Sequence, residues 1–270
     1  EDKYTIVSTE EVIDSSRNHK KLPRNACWLT FDDGYKDHYE YVLPELLKRG
    51  LKGAFFPPRN AIEKPVILDV NAIHHILCQE KNIKSLINSL NEECLQAGMK
   101  FDQINLLYRE NSIPSRYDDS DTIYFKRMLQ HLLPDEIRSL IVSNLFKKYV
   151  GISRKNFSNQ LYMSKKELSD LIKAGMYVGS HGSNHNWLSK LPVADQKKDI
   201  YDSLIFLEEI GAPIINWVMC YPYGDFNSET LAIVKDMGAS IGVTTESRVA
   251  NLKYDDNLKL PRFDTNDFPQ

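Results

Sequence analysis

The sequence predicts an α/β fold, a barrel of parallel strands and helices interrupted by a helical insertion. Three observations predict it. Short apolar runs that stop at glycine or proline alternate with stretches of helical periodicity, as in parallel strands joined by helices. Polar clusters recur immediately after those runs, as they do where strand ends gather at one face of a barrel. From about residue 71 to residue 149 the alternation gives way to helical spacing alone.

Residues 1–25 are polar, with one β-prone patch at 4–7, and read as a lead-in segment on the domain surface. A buried strand is predicted over 26–31, because Ala26-Cys27-Trp28-Leu29-Thr30-Phe31 runs straight into Asp32, Asp33 and Gly34. A helix over 38–49 is stopped by Gly50, and Pro44 within it marks a kink or a late start. Residues 52–56 form the next strand, closed by Pro57-Pro58. In the insertion, Ile73, Ile76 and Leu77, then Leu86, Ile87 and Leu90, recur at helical spacing. A second series runs from Leu129 to Leu145, after loop signals at 112–121. His74, His75 and His131 lie in the insertion without acidic or histidine partners at ligand spacing, and read as surface or packing residues. The alternation resumes at Ser164, where Glu167 completes a capping box, and that helix stops at Gly175. Strands follow at 177–180, 216–221, 240–244 and 258–260, with helices at 193–210 and 228–237.

The 270 residues are read as one domain, 1–270, carrying the insertion. A net charge of -3 gives no sign of affinity for nucleic acids or anionic membranes, and neither is expected as a partner. No apolar run approaches the ~20 residues of a membrane span. Cys27, Cys78, Cys94 and Cys220 contain no Cys-x-x-Cys pair, which argues against a cysteine zinc site and leans towards a reducing compartment. With no leader-like stretch in view, a cytoplasmic setting is favoured; a periplasmic or extracellular one follows if a leader has been removed, since the chain starts without Met. The oligomeric state stays open.

Four polar clusters follow four strands: Asp32-Asp33, His181 with His185, Pro222-Tyr223-Gly224, and Asp264 with Asp267. An Asp-Asp-Gly by itself reads as a solvated turn. His181 and His185 stand four apart, a spacing that shares one face on a helical turn. Two histidines and one carboxylate are a common divalent-metal set with positions left for water and substrate. One aspartate can then join the metal while the other stays free as general base. The metal polarises an amide or ester carbonyl and lowers the pKa of bound water. A backbone N–H in the Pro222-Tyr223-Gly224 turn is placed to steady the oxyanion. Trp28 and Trp217 fall inside strands and read as core, which leaves Trp187, two residues past His185, as the aromatic ring nearest the cluster in the chain.

Together these residues resemble the polysaccharide deacetylases, the carbohydrate esterases that share the NodB homology domain. Thr30-Phe31-Asp32-Asp33-Gly34 is similar to the family's first motif. His181-Gly182-Ser183-Asn184-His185 resembles its His-Ser/Thr-x-x-His motif, with Gly182 at the Ser/Thr position. Cys220-Tyr221-Pro222-Tyr223-Gly224 resembles Arg-x-Pro-Tyr-Gly, with Cys220 at the arginine position. Leu260-Pro261-Arg262 is similar to a Leu-Pro-Arg segment near the end of such domains. The resemblance covers 26–60 and 163–265.

It implies a distorted (β/α)7 barrel, a divalent metal with Zn2+ foremost, and removal of an N-acetyl group from an amino sugar of a surface polysaccharide or its precursor. Asp32 then matches the catalytic base. Asp33, His181 and His185 match the metal triad, and Tyr223 matches the residue whose backbone N–H helps hold the oxyanion. Arg262 is expected to supply the charge of the motif arginine replaced by Cys220. Trp187, Pro222, Asp264 and Asp267 are the candidate substrate contacts. The family's late Leu-x-His motif, whose histidine is the general acid, has no counterpart, because no histidine follows His185. That proton is left to water on the metal, to Asp264 or Asp267, or to a group outside the chain. Two further readings stand beside this one: a catalytically silent domain that binds glycan, and an amidohydrolase acting on a non-sugar amide.

Overall fold

The computed structural model describes residues 3–268. In chain order it contains β1 (Thr5–Ile6), α1 (Thr9–Asn18), β2 (Ala26–Cys27), β3 (Thr30–Asp32), a π-helical turn at His38–Val42, α2 (Leu43–Lys48), β4 (Ala54–Phe56) and α3 (Arg59–Glu63). Six helices follow: α4 (Asp69–Gln79), α5 (Ile83–Gln96), α6 (Phe101–Asn111), α7 (Ser120–Arg127), α8 (Asp135–Val150) and α9 (Arg154–Leu161). The strand-and-helix alternation then returns with α10 (Lys165–Lys173), β5 (Tyr177–Val178), α11 (Val193–Glu209), β6 (Val218–Cys220), α12 (Ser228–Asp236) and β7 (Ile241–Val243).

The chain divides into two compact units. One takes the residues up to Lys64 and from Gln160 onward; the other is Pro65–Asn159. In the first, every strand pairing is parallel: β1 with β2, β3 with β4, β4 with β5, and β6 with β7. Single parallel bridges extend the ladders, Ser180 to Met219 and Val243 to Leu260. The result is the distorted (β/α) barrel that the sequence predicts. Side chains alternate across these strands, as their two-residue period requires. Ala54 and Phe56 of β4 pack in one cluster with Val218 and Cys220 of β6 and Ile241 and Val243 of β7. Phe55 points the other way, into a second cluster with Leu168, Leu171 and Phe206 from α10 and α11. Fully burying one such side chain contributes about 1.5–3 kcal/mol.

Three elements differ from the sequence reading. The strand expected over 26–31 changes partner midway: β2 lies on β1 and β3 lies on β4, with Trp28 and Leu29 between. The expected helix over 38–49 starts as a wide turn in which the Leu43 N–H bonds to the His38 carbonyl, and Pro44 has no N–H to offer the α pattern. The segment 258–260 is a 3-10 turn, Asn257–Lys259, rather than a strand. Asp256 accepts the Leu258 N–H and starts that turn, so only Leu260 joins the ladder. The lead-in segment also contains a helix. Ser8 and Glu11 form a capping box at the start of α1, and Val12 is buried.

The second unit is helical throughout, and the expected insertion at 71–149 falls within it. Its interior holds Ile73, Ile76, Leu86, Leu90, Phe125, Leu129, Ile141 and Leu145, all fully buried. Arg154 ties the N-terminal end of α4 to this unit through the Ile67 carbonyl and the Asp69 carboxylate, the latter at 2.6 Å. His75 stands edge-on to Phe146 and Phe157, a packing position. Among the described residues, no helix is long and apolar enough to cross a membrane.

Candidate active site

Asp32 closes β3, and Asp33 follows it. Asp33 (φ 70°) and Gly34 (φ 69°) both adopt the left-handed conformation, a turn that lets two consecutive carboxylates face different partners in one pocket. A side chain at Gly34 would also put its Cβ 2.8 Å from the Cβ of Pro57. His181 follows β5 within the same three-stranded sheet. The segment from His181 to His185 is not helical: Gly182 (φ 67°) and His185 (φ 53°) are left-handed, and the loop folds so that both imidazoles meet. Their ring centroids lie 4.8 Å apart at 76°. The four-residue spacing therefore works through a loop reversal and not through a shared helical face.

His185 Nε2 stands 3.3 Å from Asp33 Oδ1, and His181 Nε2 stands 3.5 Å from the same oxygen. All three side chains are largely buried. Two ligand atoms each about 2.0–2.1 Å from a tetrahedral zinc ion stand about 3.3–3.4 Å apart, so this spacing fits a metal triad. His181 Nδ1 lies 2.7 Å from the Cys220 carbonyl. A carbonyl only accepts, so Nδ1 carries the proton and Nε2 offers its lone pair to the pocket. Burial opposes charge on Asp33, yet the two histidines outweigh it and hold its carboxyl well below the usual range. His181 moves the opposite way, well above the usual histidine value: burial disfavours its charge, and Cys220, Asp33 and Asp32 overcome that.

Asp32 faces a different partner. Arg262 Nη1 donates to Asp32 Oδ1 at 3.0 Å and Nη2 donates to Oδ2 at 2.9 Å, a two-pronged pair. The same guanidinium donates to Thr30 Oγ1, to the Thr244 carbonyl and to Cys220 Sγ. Burial raises the Asp32 carboxyl, and Arg262 and His181 more than reverse this, so its pKa falls below the ordinary value. About a third of the Asp32 side chain, 34 %, remains open to solvent, which leaves a path for a substrate. A second cluster of possible ligands, Asp32, His181 and Cys220, overlaps the first. It fits a cation poorly, because Arg262 already fills it with positive charge and burial raises the Cys220 thiol against ionising.

The turn after β6 places Tyr223 at φ 59°, with its ring 4.6 Å from His185. Pro222 is buried at the start of that turn. Trp187 stacks on Tyr223 at 4.6 Å and 16°, so one face of the ring expected to meet a sugar is taken by protein. Asp225 accepts from the Ser189 N–H and hydroxyl and ties the Trp187 segment to the Tyr223 turn. Asp264 and Asp267 are engaged in their own 3-10 turn: Asp264 accepts the Asn266 N–H, and Asp267 accepts the Asp264 N–H and the Ser247 hydroxyl. Three contributors lie outside the sequence reading. Tyr35 hydrogen-bonds Asp33, which together with burial raises the pKa of its hydroxyl. Cys220 contributes its carbonyl, a role that its side chain does not reveal. Asp199 holds the histidine loop.

The sequence profile of the polysaccharide deacetylases matches residues 19–101 and 117–242, most of the chain. The chain belongs to the polysaccharide deacetylase family. The matched region holds the two aspartates, both histidines and Tyr223 but ends before Arg262. A putative polysaccharide deacetylase of Bacillus subtilis (strain 168), YxkH, is 25% identical over 97 residues, which span 36% of this chain and about a third, 34%, of that relative. Among solved structures, the Streptococcus pyogenes deacetylase PplD in complex with acetate superposes with a TM-score of 0.56 at 18% identity, covering 97% of this chain and 74% of that one. The BpsB deacetylase domain from Bordetella bronchiseptica gives 0.56 at 16%, covering 96% and 78%. IcaB from Ammonifex degensii gives 0.52 at 16%, covering 96% and 76%. At these identities the likeness to the three structures is one of fold.

Proposed function

We propose that this polysaccharide deacetylase removes an N-acetyl group from an amino sugar of a surface polysaccharide or its precursor, using a divalent metal, zinc foremost. The observation that carries this reading is the convergence of Asp33, His181 and His185 on one point beside a second aspartate, Asp32, that is separately held ionised. When bound, the metal polarises the acetyl carbonyl and makes water acidic enough for a carboxylate to deprotonate. Asp32 receives that proton as general base. Arg262 keeps Asp32 ionised and fixes its orientation, standing in for the motif arginine that Cys220 replaces. The hydrogen bond to the Cys220 carbonyl holds His181 with Nε2 towards the pocket. The Tyr223 backbone N–H steadies the oxyanion, and Trp187 braces Tyr223 against His185. PplD is in complex with acetate, and acetate is the product that this reaction would release.

The test is acetate release from a panel of N-acetylated oligosaccharides by protein stripped with chelator and by the same protein reloaded with zinc. The proposal expects no release from the stripped protein and release on reloading. Zinc binding without release from any of these substrates would instead favour a glycan-binding domain.

A further inference from the structure

The loop that carries both imidazoles is held by a carboxylate from a helix that no motif marks. We propose that Asp199 of α11 is a positioning residue that sets the geometry of the metal-binding loop. Gly182 takes the usual Ser/Thr position because Asp199 occupies the space a side chain would need. This rests on the metal reading above.

Asp199 is buried, 4% exposed. Its Oδ2 accepts the Ser183 N–H at 2.7 Å. Its Oδ1 accepts the Asn184 N–H at 3.2 Å and the Asn184 side-chain amide at 2.7 Å. Its own backbone carbonyl accepts the Ser183 hydroxyl at 2.8 Å. All four contacts fall on residues that lie between His181 and His185. The opposite edge of the loop is fixed as well: the Gly182 and Ser183 carbonyls accept the N–H groups of Arg59 and Asn60 at the start of α3, at 3.2 and 2.9 Å. The Ser183 and Asn184 N–H groups thus face Asp199, and the Gly182 and Ser183 carbonyls face α3, which defines the orientation of the peptide units leading into His185.

The cost of burying a carboxylate is offset in part by three N–H donors, all from the loop, while burial still raises the Asp199 carboxyl above its usual range. Gly182 follows from the same contact. An ideal Cβ on Gly182 would stand 2.6 Å from Asp199 Oδ2, at a backbone φ of 67° that disfavours side chains in any case. A serine or threonine there would displace the anchor, and the hydroxyl that bonds to the helix comes one residue later, from Ser183.

Asp199→Asn breaks the pattern with little change in volume, since an amide turns a donor towards at least one of the N–H groups. Loss of an outer partner to metal ligands commonly lowers affinity about 10–100-fold, and that is the expected fall in zinc affinity, read by competition with a chromophoric chelator. Gln196→Ala is the control. Gln196 is buried on the same helix one turn earlier and bonds to Leu191 and Thr230, not to the histidine loop. It should lower stability while leaving zinc affinity within about twofold. In metal-free protein, amide exchange at Ser183 and Asn184 should accelerate in Asp199→Asn. Gly182→Ala should also weaken zinc binding, and less so in an Asp199→Ala background, where the clash is gone.

Zinc affinity and amide exchange unchanged in Asp199→Asn would overturn the proposal, as would an equal loss in Gln196→Ala. A wild-type protein that binds no zinc would sink the metal reading instead, and the exchange measurement would still decide whether Asp199 holds the loop.

Discussion

Asp33 meets His181 and His185 in the loops that follow β3 and β5 of one three-stranded sheet, whereas Asp32 meets a guanidinium 230 residues further along the chain. The first group is held by backbone groups and by the buried Asp199 carboxylate: a left-handed turn at Asp33, a carbonyl on His181, and peptide groups of the histidine loop bonded to α3 and to Asp199. The second group depends on one side-chain charge. On the proposed reading, the difference accounts for Cys220 at the position of the third motif's arginine. The residue at position 220 serves His181 through its carbonyl, which any amino acid provides. The positive charge beside Asp32 has to come from a side chain, and Arg262 reaches it from beyond the last ladder.

Arg262→Met is the sharpest way to break that symmetry. Turnover should fall by about 10²-fold or more, within the range that general-base catalysis supplies, while zinc affinity stays near wild type. The acid limb of the kcat/KM profile should move to higher pH, because burial raises the Asp32 carboxyl and the foremost charge opposing it, Arg262, would be gone. Arg262→Lys should fall between the two, as an ammonium cannot reproduce the two-pronged contact. A fall in zinc affinity matching the fall in turnover would erase the distinction between the two groups.

A weaker effect separates the groups by pH. In metal-free protein the His181 pKa is raised above its ordinary 6.5, so the stability it contributes is complete below that value and is lost as pH rises towards the raised one. Asp33 is lowered from 3.8, so its contribution is present above that value and lost only in stronger acid. Melting temperatures should therefore decline on the alkaline side in chelator. With zinc the slope should reverse, because the metal needs neutral histidine and competes with protons. Parallel curves with and without zinc would contradict the triad. The smallest effect is expected from Cys220→Ser. It keeps the carbonyl on His181 and exchanges one weak acceptor for Arg262 by another, so turnover should stay within about threefold, on the scale of a modest hydrogen-bond change.

The sequence makes the first group legible and hides parts of the second. Asp33 and His181 each follow a predicted strand, His185 stands four residues after His181, and their order along the chain points to the barrel face that they share. Arg262 is found beside Asp32 only by asking which cation could replace the one missing at Cys220. Asp199 is hidden for a physical reason: it lies 14 residues beyond His185 on an ordinary amphipathic helix, and its value comes from what the fold brings against it. Ser8 and Glu11 do mark α1, but with Val12 and Ile13 as its main apolar residues the helix shows little periodicity. Leu258-Lys259-Leu260 has the alternation of a strand, and the Asp256 cap makes it a 3-10 turn. Trp187 reads as a platform for sugar because nothing in the chain tells that Tyr223 takes one of its faces.

The most direct measurement is zinc affinity and acetate release on the same preparation of Asp32→Asn. The variant is expected to bind zinc like the wild type, since Asp32 lies off the triad, while its release of acetate falls by about 10²–10⁴-fold. Release at the wild-type rate, or loss of zinc together with activity, would contradict the division of labour between the two aspartates.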